Sequence, residues 1–203
     1  MSRAKRTLRA CGWVALALGK AGTVAFTLEG VLWPDQRKYK GKAMRIRSLG
    51  YFGGLALVPA VWVAGGRGPR YPLVEDLAMT APLLVDAAGN SLGIYDSARI
   101  DDVVHFMNAV ALAGLFGAAI SNHVDSRERA AAITVVFGLV GEFCFDLMEY
   151  GAEKLGYTGL GLSAEDTIAD TALAALGTTV AAFVTWVRWK PRPEVSPAAG
   201  APT

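Results

Sequence analysis

The sequence contains few of the residues that build common catalytic and metal sites. It has two histidines and two cysteines, and Cys11 and Cys144 show no CxxC or Cys/His spacing, so a zinc site or a disulfide has little support. We expect both cysteines to be small buried apolar residues. Two histidines are too few for a histidine-rich di-iron centre. Because no GxSxG, HExxH, P-loop or strand-linked GxGxxG motif occurs, we expect no nucleotide cofactor.

Charged residues are also scarce, at 19% of the chain, whereas hydrophobic residues make up 53%. The mean hydropathy is +0.34, and long apolar runs of this kind are typical of polytopic helical membrane proteins. The sequence therefore predicts an all-α membrane protein, a helical bundle of about six transmembrane helices. Residues 1–9 form a basic N-terminal tail, 10–190 a single transmembrane bundle and 191–203 a disordered tail. The expected partners are membrane lipids rather than nucleic acid, since no recognition motif accompanies the basic N-terminus.

Six apolar segments are the predicted spans: 10–33, 48–65, 73–95, 103–121, 130–150 and 166–187. A secretory signal peptide is the alternative for the first segment, but hydrophobicity resumes after Lys20, which favours an uncleaved helix. The third segment carries Glu75, Asp76 and Asp86, so it must pack inside the bundle or lie partly at the interface. Six spans place both termini on one side, and the count of basic residues outside the spans favours the cytoplasm. The basic loop 34–47 argues for the opposite orientation.

The fifth predicted span contains three carboxylates on one face. Glu142, Asp146 and Glu149 lie at offsets of four and seven, and at 3.6 residues per turn such offsets form one stripe. A carboxylate facing lipid costs at least a few kcal/mol. The acidic stripe, as we name these three residues, must therefore face protein, water or a cation. A purely structural network of shared hydrogen bonds is the alternative.

Two other spans begin with polar residues that can meet the acidic stripe. Asp102 and His105 lie three apart at the start of the fourth span, with Asn108 one turn deeper, and Asp166 and Asp170 open the sixth. Because each motif lies near a span end, we expect these groups to converge near one membrane face. Helix capping by the two first aspartates and a core imidazole without a catalytic part are the alternatives.

Gly177 lies seven residues after Asp170. A residue without a side chain at this position lets a neighbouring helix approach closely. We therefore expect a tight helix contact on that side of the sixth span.

Several carboxylates in a low dielectric cannot all stay ionised without compensation, so either cations bind among them or some hold protons. In the first case the metal ligands are Asp146, Glu149, Asp166 and Asp170. Magnesium, calcium or manganese suits such an oxygen-rich set. The candidate catalytic residues are Asp102, His105, Glu142, Asp146 and Glu149. Among these, His105 is the acid or base and Asp102 orients it.

Three classes of function fit this pattern. The first is an enzyme acting on a lipid-like substrate that enters laterally; a variant is isoprenoid cyclisation, with Glu142 or Asp146 as a protonated acid. The second is a proton- or cation-coupled carrier, in which the acids form a relay, although the sequence shows no inverted repeat. The third is a non-catalytic membrane partner protein.

The order of three short motifs resembles that of the YjdF-like bacterial inner-membrane proteins and, more distantly, the VanZ-like family. The motifs are Asp102-x-x-His105-Phe106, Phe145-Asp146-x-x-Glu149-Tyr150 and Asp166-x-x-x-Asp170. The resemblance covers roughly residues 73–187. The YjdF-like pattern has Glu where Asp146 stands, and Glu142 has no counterpart in it. The resemblance implies a multi-pass protein of the bacterial cytoplasmic membrane without a settled reaction, and the VanZ-like link to glycopeptide tolerance points toward lipid-linked envelope components.

Overall fold

The computed structural model describes residues 2–40, 42–66, 68, 70–94, 100–156 and 164–191, with the side chains of residues 100, 101, 152 and 166 outside this description. Six helices account for most of these residues, and none of the described residues lies in a strand. The helices are α1 (Arg3–Leu32), α2 (Met44–Ala64), α3 (Leu73–Leu92), α4 (Ile100–Ile120), α5 (Arg127–Lys154) and α6 (Ala164–Arg188). A short 3-10 helix, Arg37–Tyr39, precedes α2. The predicted all-α membrane bundle is confirmed. Of the tail predicted over residues 191–203, residues 192–203 lie outside the described residues.

Five of the six described helices, all but α3, are long and apolar enough to cross a membrane. The 20 residues of α3 give a length of about 30 Å, which matches a bilayer core, but Glu75, Asp76 and Asp86 lower its hydropathy. Asp76 and Asp86 are buried, and α3 contacts α1, α2 and α4. The weak third segment is therefore a helix packed inside the bundle, where its neighbours cover its charges.

Each of the six helices except α3 begins before the apolar run that predicted it. α1 begins at Arg3, where the Ser2 side chain caps the helix by accepting a hydrogen bond from the Lys5 N–H, so most of the predicted basic tail is helical. The helix also continues through Lys20 and Glu29. An apolar run identifies the part of a helix inside hydrocarbon, whereas charged residues with good helix propensity extend it into the interface.

The prediction of buried cysteines is wrong. Cys11 and Cys144 are free and exposed, on the surfaces of α1 and α5. Large apolar side chains near Cys144, including Phe143 and Leu147, are also exposed. In a membrane protein an apolar residue is stable against lipid as well as in the core, so hydropathy alone does not indicate which surface it faces.

The first three helices and the last three form two similar units. In the first unit α1 and α3 run parallel, because Gly12 packs near Leu73 and Glu29 near Ser91, while α2 runs antiparallel to both. In the second unit α4 and α6 run parallel, and α5 runs antiparallel to both. Because successive helices alternate in direction and each unit has three helices, α4, α5 and α6 run opposite to α1, α2 and α3, respectively.

Small residues let α4, α5 and α6 approach closely. A Cβ atom at Gly177 would lie 2.6 Å from the backbone oxygen of Phe106, so the predicted close approach at this glycine is confirmed and the neighbour is α4. Gly138 of α5 packs in the same way against the buried Thr178 of α6. Close backbone contact through small residues is a common way of packing helices in lipid. The contact between Gly177 and Phe106 holds α6 next to the first turns of α4.

Candidate functional site

His105 of α4 lies between carboxylates from two other helices. Its Nδ1 atom is 3.8 Å from Oε1 of Glu142 on α5, and its Nε2 atom is 3.6 Å from Oδ2 of Asp170 on α6. The three side chains are only 14–21% exposed. The ring of Phe145 meets the imidazole edge-on at 6.2 Å between centroids. We call His105, Glu142 and Asp170 the His105 site.

The rest of the acidic stripe borders this site. Asp146 lies within electrostatic range of Glu142 and His105. Glu149 interacts electrostatically with Asp146, Asp170 and His105. Glu142, Asp146 and Glu149 are less exposed than their neighbours Phe143, Leu147 and Met148 on α5. The helix therefore turns its acids toward α4 and α6 and its apolar residues outward.

Arg47 of α2 joins the His105 site to the first three helices. Its guanidinium lies 4.0 Å from Asp86 on α3 and within electrostatic range of Glu149. Asp86 in turn accepts hydrogen bonds from Tyr51, at 2.7 Å, and from Asn90, at 3.1 Å. The polar interior is thus continuous between the two units, and a cation compensates part of its negative charge. From sequence, Arg47 was expected in the basic loop 34–47 and had no predicted role.

The remaining predicted site residues lie near the start of α4 and α6. Asp102 is half-buried in the first turn of α4, a position where the helix dipole favours a carboxylate. Asn108 lies one turn beyond His105, and its buried side-chain oxygen accepts no hydrogen bond from any residue that the structure describes. Asp166 belongs to the first turn of α6, but its side chain lies outside the described residues. The orienting role predicted for Asp102 stays a prediction.

A second buried charge pair lies between α1 and α3. The Lys20 ammonium is 2.9 Å from Asp76, which is 0% exposed, and Asp76 also accepts a hydrogen bond from the Tyr71 hydroxyl. Burial, together with the neighbouring Asp76, raises the pKa of Tyr71, so its hydroxyl keeps the proton that it donates. The Lys20 ammonium also donates to the Leu55 carbonyl at 2.7 Å. This carbonyl lacks its helical partner because Pro59, four residues on, has no N–H.

A third polar group lies at the end of α1. Glu29 pairs with Lys38, and Ser91 of α3 donates a hydrogen bond to the same carboxylate. The hydrogen bond to Glu29 raises the pKa of Lys38. Tyr39 donates to Ser91 at 2.9 Å. Lys20 and Glu29 both lie inside the first apolar run, and a charge inside such a run is the signal that could have identified these polar groups from sequence.

Within the part of the chain that the structure describes, no group of three or more His, Cys, Asp or Glu side chains is arranged to hold a metal ion. The side chain of Asp166, one of the four predicted metal ligands, lies outside the described residues. The predicted divalent cation therefore stays a prediction.

Comparison of the chain with protein-family models, with curated proteins and with solved structures found no match in any of the three. The resemblance to the YjdF-like and VanZ-like families rests on the motifs of the sequence alone. The class that the fold defines is that of a multi-pass helical membrane protein with a polar interior. Its localisation in a bacterial inner membrane stays a prediction.

Proposed function

We propose that the protein is a membrane enzyme that uses the His105 site for acid–base chemistry on a lipid-like substrate. One observation carries this proposal: each ring nitrogen of His105 faces a carboxylate that comes from a different helix. Acid–base catalysis requires a proton donor or acceptor held where a substrate can reach it, and histidine serves this role most often.

The arrangement favours a mobile proton. A neutral imidazole donates from one nitrogen only, whereas an imidazolium donates from both. The site can therefore hold an imidazolium between Glu142 and Asp170, or a neutral ring beside one protonated carboxylic acid. These two states differ by one proton shift across 3.6–3.8 Å. Catalytic hydrogen bonds are often this long before substrate binds.

The surroundings of the site favour an amphiphilic substrate. The outward face of α5 beside the acidic stripe exposes Phe143, Leu147 and Met148, so a substrate entering from lipid would meet apolar side chains first and carboxylates next. The isoprenoid variant uses the same residues, with Glu142 or Asp146 as the acid that protonates a double bond.

A direct test compares the two histidines of the chain. Cells that express the wild-type protein, His105→Gln or His123→Gln are grown alike, and their extracted lipids are compared by mass spectrometry. His123 is exposed between α4 and α5, so its replacement should leave the lipid profile of the wild type. His105→Gln should abolish the change that the wild type produces. Equal lipid profiles for wild type and His105→Gln would contradict the proposal.

The cation version of the proposal is tested separately. The purified protein is dialysed against magnesium, calcium or manganese, and bound metal is counted for wild type and Asp146→Asn. Stoichiometric binding that the substitution removes would support a metal centre. An active wild-type protein that binds none of these metals, together with loss of the lipid product in a folded Asp146→Asn variant, would contradict the metal centre and leave the proton version.

A second candidate is a proton-coupled carrier, and the opposite sense of the two three-helix units favours it. Many carriers are built from halves of inverted topology with polar residues between them, and Arg47 and Glu149 interact between the two units. A carrier moves its substrate into proteoliposomes, and the movement stops when the proton gradient is collapsed. An enzyme forms its product without a gradient, so this measurement separates the two candidates.

A further inference from the structure

A groove runs along the outside of α4, at the junction of the two three-helix units. Its cavity has a volume of about 330 Å³ and is lined by α3, α4 and α6. The floor is made of small and apolar side chains, including Ala81, Val110 and Gly114. A smaller cavity of about 210 Å³ shares Gly114 and continues to the end of α6.

The groove begins near the His105 site and ends at the opposite end of the bundle, where α1 begins and α6 ends. Along α4 its lining extends from Phe106 to Ala118, and 12 helical residues span about 18 Å. One leaflet of a bilayer contributes about 15 Å of hydrocarbon. The apolar part of the groove therefore has the length of one lipid chain.

The end of the groove beside the last turns of α4 and α6 is polar and basic. Ser121, Asn122, Arg188 and Lys190 line it, and neither Arg188 nor Lys190 forms an ion pair within the described part of the chain. One carboxylate, Glu75, lies on the α3 wall. Two basic residues and one acidic residue give the groove a net charge of +1, which is complementary to a single phosphodiester.

We propose that this groove binds an anionic phospholipid, with one acyl chain along α4 and the phosphate at Arg188 and Lys190. The Asn122 side-chain amide can donate hydrogen bonds to the phosphate oxygens, whereas the Ser121 hydroxyl already donates to the Gly117 carbonyl. The site is distinct from the His105 site, because Asp170 and Arg188 are 18 residues apart on one helix, about 27 Å. It can therefore be tested without reference to the proposed reaction.

The test uses the full-length protein in detergent and native mass spectrometry. Phosphatidylglycerol and phosphatidylcholine are each titrated into the wild type and into the double variant Arg188→Gln/Lys190→Gln. We expect phosphatidylglycerol to bind more tightly to the wild type. A basic residue near the membrane surface contributes about fivefold in affinity, so the double variant should lose about 25-fold. Arg129→Gln is the matched control, because Arg129 is basic, exposed and paired with Asp125 outside the groove.

Two further variants test the fit. Glu75→Gln removes the repulsive carboxylate and should tighten phosphatidylglycerol binding, which a misfolded protein would not do. Ala81→Trp fills the apolar floor and should weaken binding of both lipids, whereas Ala60→Trp on the exposed surface of α2 should not.

The proposal is overturned by equal affinity for the two lipids, by unchanged binding in the double variant, or by displacement of the lipid by millimolar inorganic phosphate. A dimer that Ala81→Trp dissociates would instead assign the groove to a second copy of the chain.

Discussion

In the described part of the chain, the buried acids of α3 and the acidic stripe of α5 lie near basic groups of other helices. Asp76 on α3 meets Lys20 on α1, and Glu142 on α5 meets His105 on α4. Helical periodicity places a charged residue on one face of its own helix, but it does not identify the helix that this face meets. The acidic stripe could therefore be predicted from sequence, whereas the role of Arg47, almost one hundred residues earlier, could not.

Replacing Asp76 by Asn should be costly because it leaves the Lys20 ammonium buried without a counter-charge. Breaking one side of a buried ion pair costs about 3–5 kcal/mol, and since Lys20 is a quarter exposed we expect the lower end of that range. The free energy of unfolding in mixed micelles measures the loss. Asp125→Asn is the control, because that side chain is 87% exposed and a surface pair contributes less than about 1 kcal/mol.

A double variant separates charge from packing. Lys20→Met combined with Asp76→Asn removes both charges, so it should be more stable than Asp76→Asn alone. An Asp76→Asn protein as stable as the wild type would show that this pair does not hold α1 and α3 together.

At the scale of helices, hydropathy predicted the number and order of the helices, and a small residue indicated where two of them pack closely. Gly177 was expected to permit a close approach, and α4 is the helix that approaches. The helix ends were less predictable: α5 extends from Arg127 to Lys154, past the apolar run at both ends. The role of Pro59 also became clear only from the structure. Because Pro59 has no N–H, the Leu55 carbonyl lacks its helical partner, and this carbonyl accepts a hydrogen bond from Lys20 instead.

Gly177→Ala should push α4 and α6 apart. The added Cβ would lie 2.6 Å from a backbone oxygen and 3.2 Å from a backbone nitrogen of α4, and backbone atoms cannot move aside as a side chain can. Overpacking of this kind costs about 1–3 kcal/mol, measured as a lower melting temperature in detergent.

Gly141→Ala is the matched control for this substitution. Gly141 also lies inside a helix, but a Cβ there meets no other atom within 4 Å. Alanine is favoured over glycine in a helix by about 1 kcal/mol, so this variant should be as stable as the wild type or slightly more stable. Equal melting temperatures for the two alanine variants would contradict the close packing at Gly177.

At the scale of the whole molecule, the central question is whether α3 crosses the membrane despite its three acids. It lies parallel to α1 over its full length, from Leu73 beside Gly12 to Ser91 beside Glu29. Because both ends of α3 lie beside the spanning helix α1, α3 reaches the same depths in the membrane as the part of α1 beside it. We therefore expect six crossings, with Asp76 and Asp86 of α3 screened from lipid by α1 and α2.

The position of the α4–α5 loop distinguishes six crossings from five. With six, Asn122 lies on the same side of the membrane as Ser2; if α3 stays on one side, Asn122 lies on the side of Asp35 instead. All three residues are exposed, so single cysteines at these positions, in a background with Cys11→Ser and Cys144→Ser, can be labelled in intact cells with a membrane-impermeant maleimide. We expect Asn122→Cys to label like Ser2→Cys and unlike Asp35→Cys. Labelling of Asn122→Cys together with Asp35→Cys would exclude a transmembrane α3, and it would require Asp76 and Asp86 to be buried in a segment outside the hydrocarbon core.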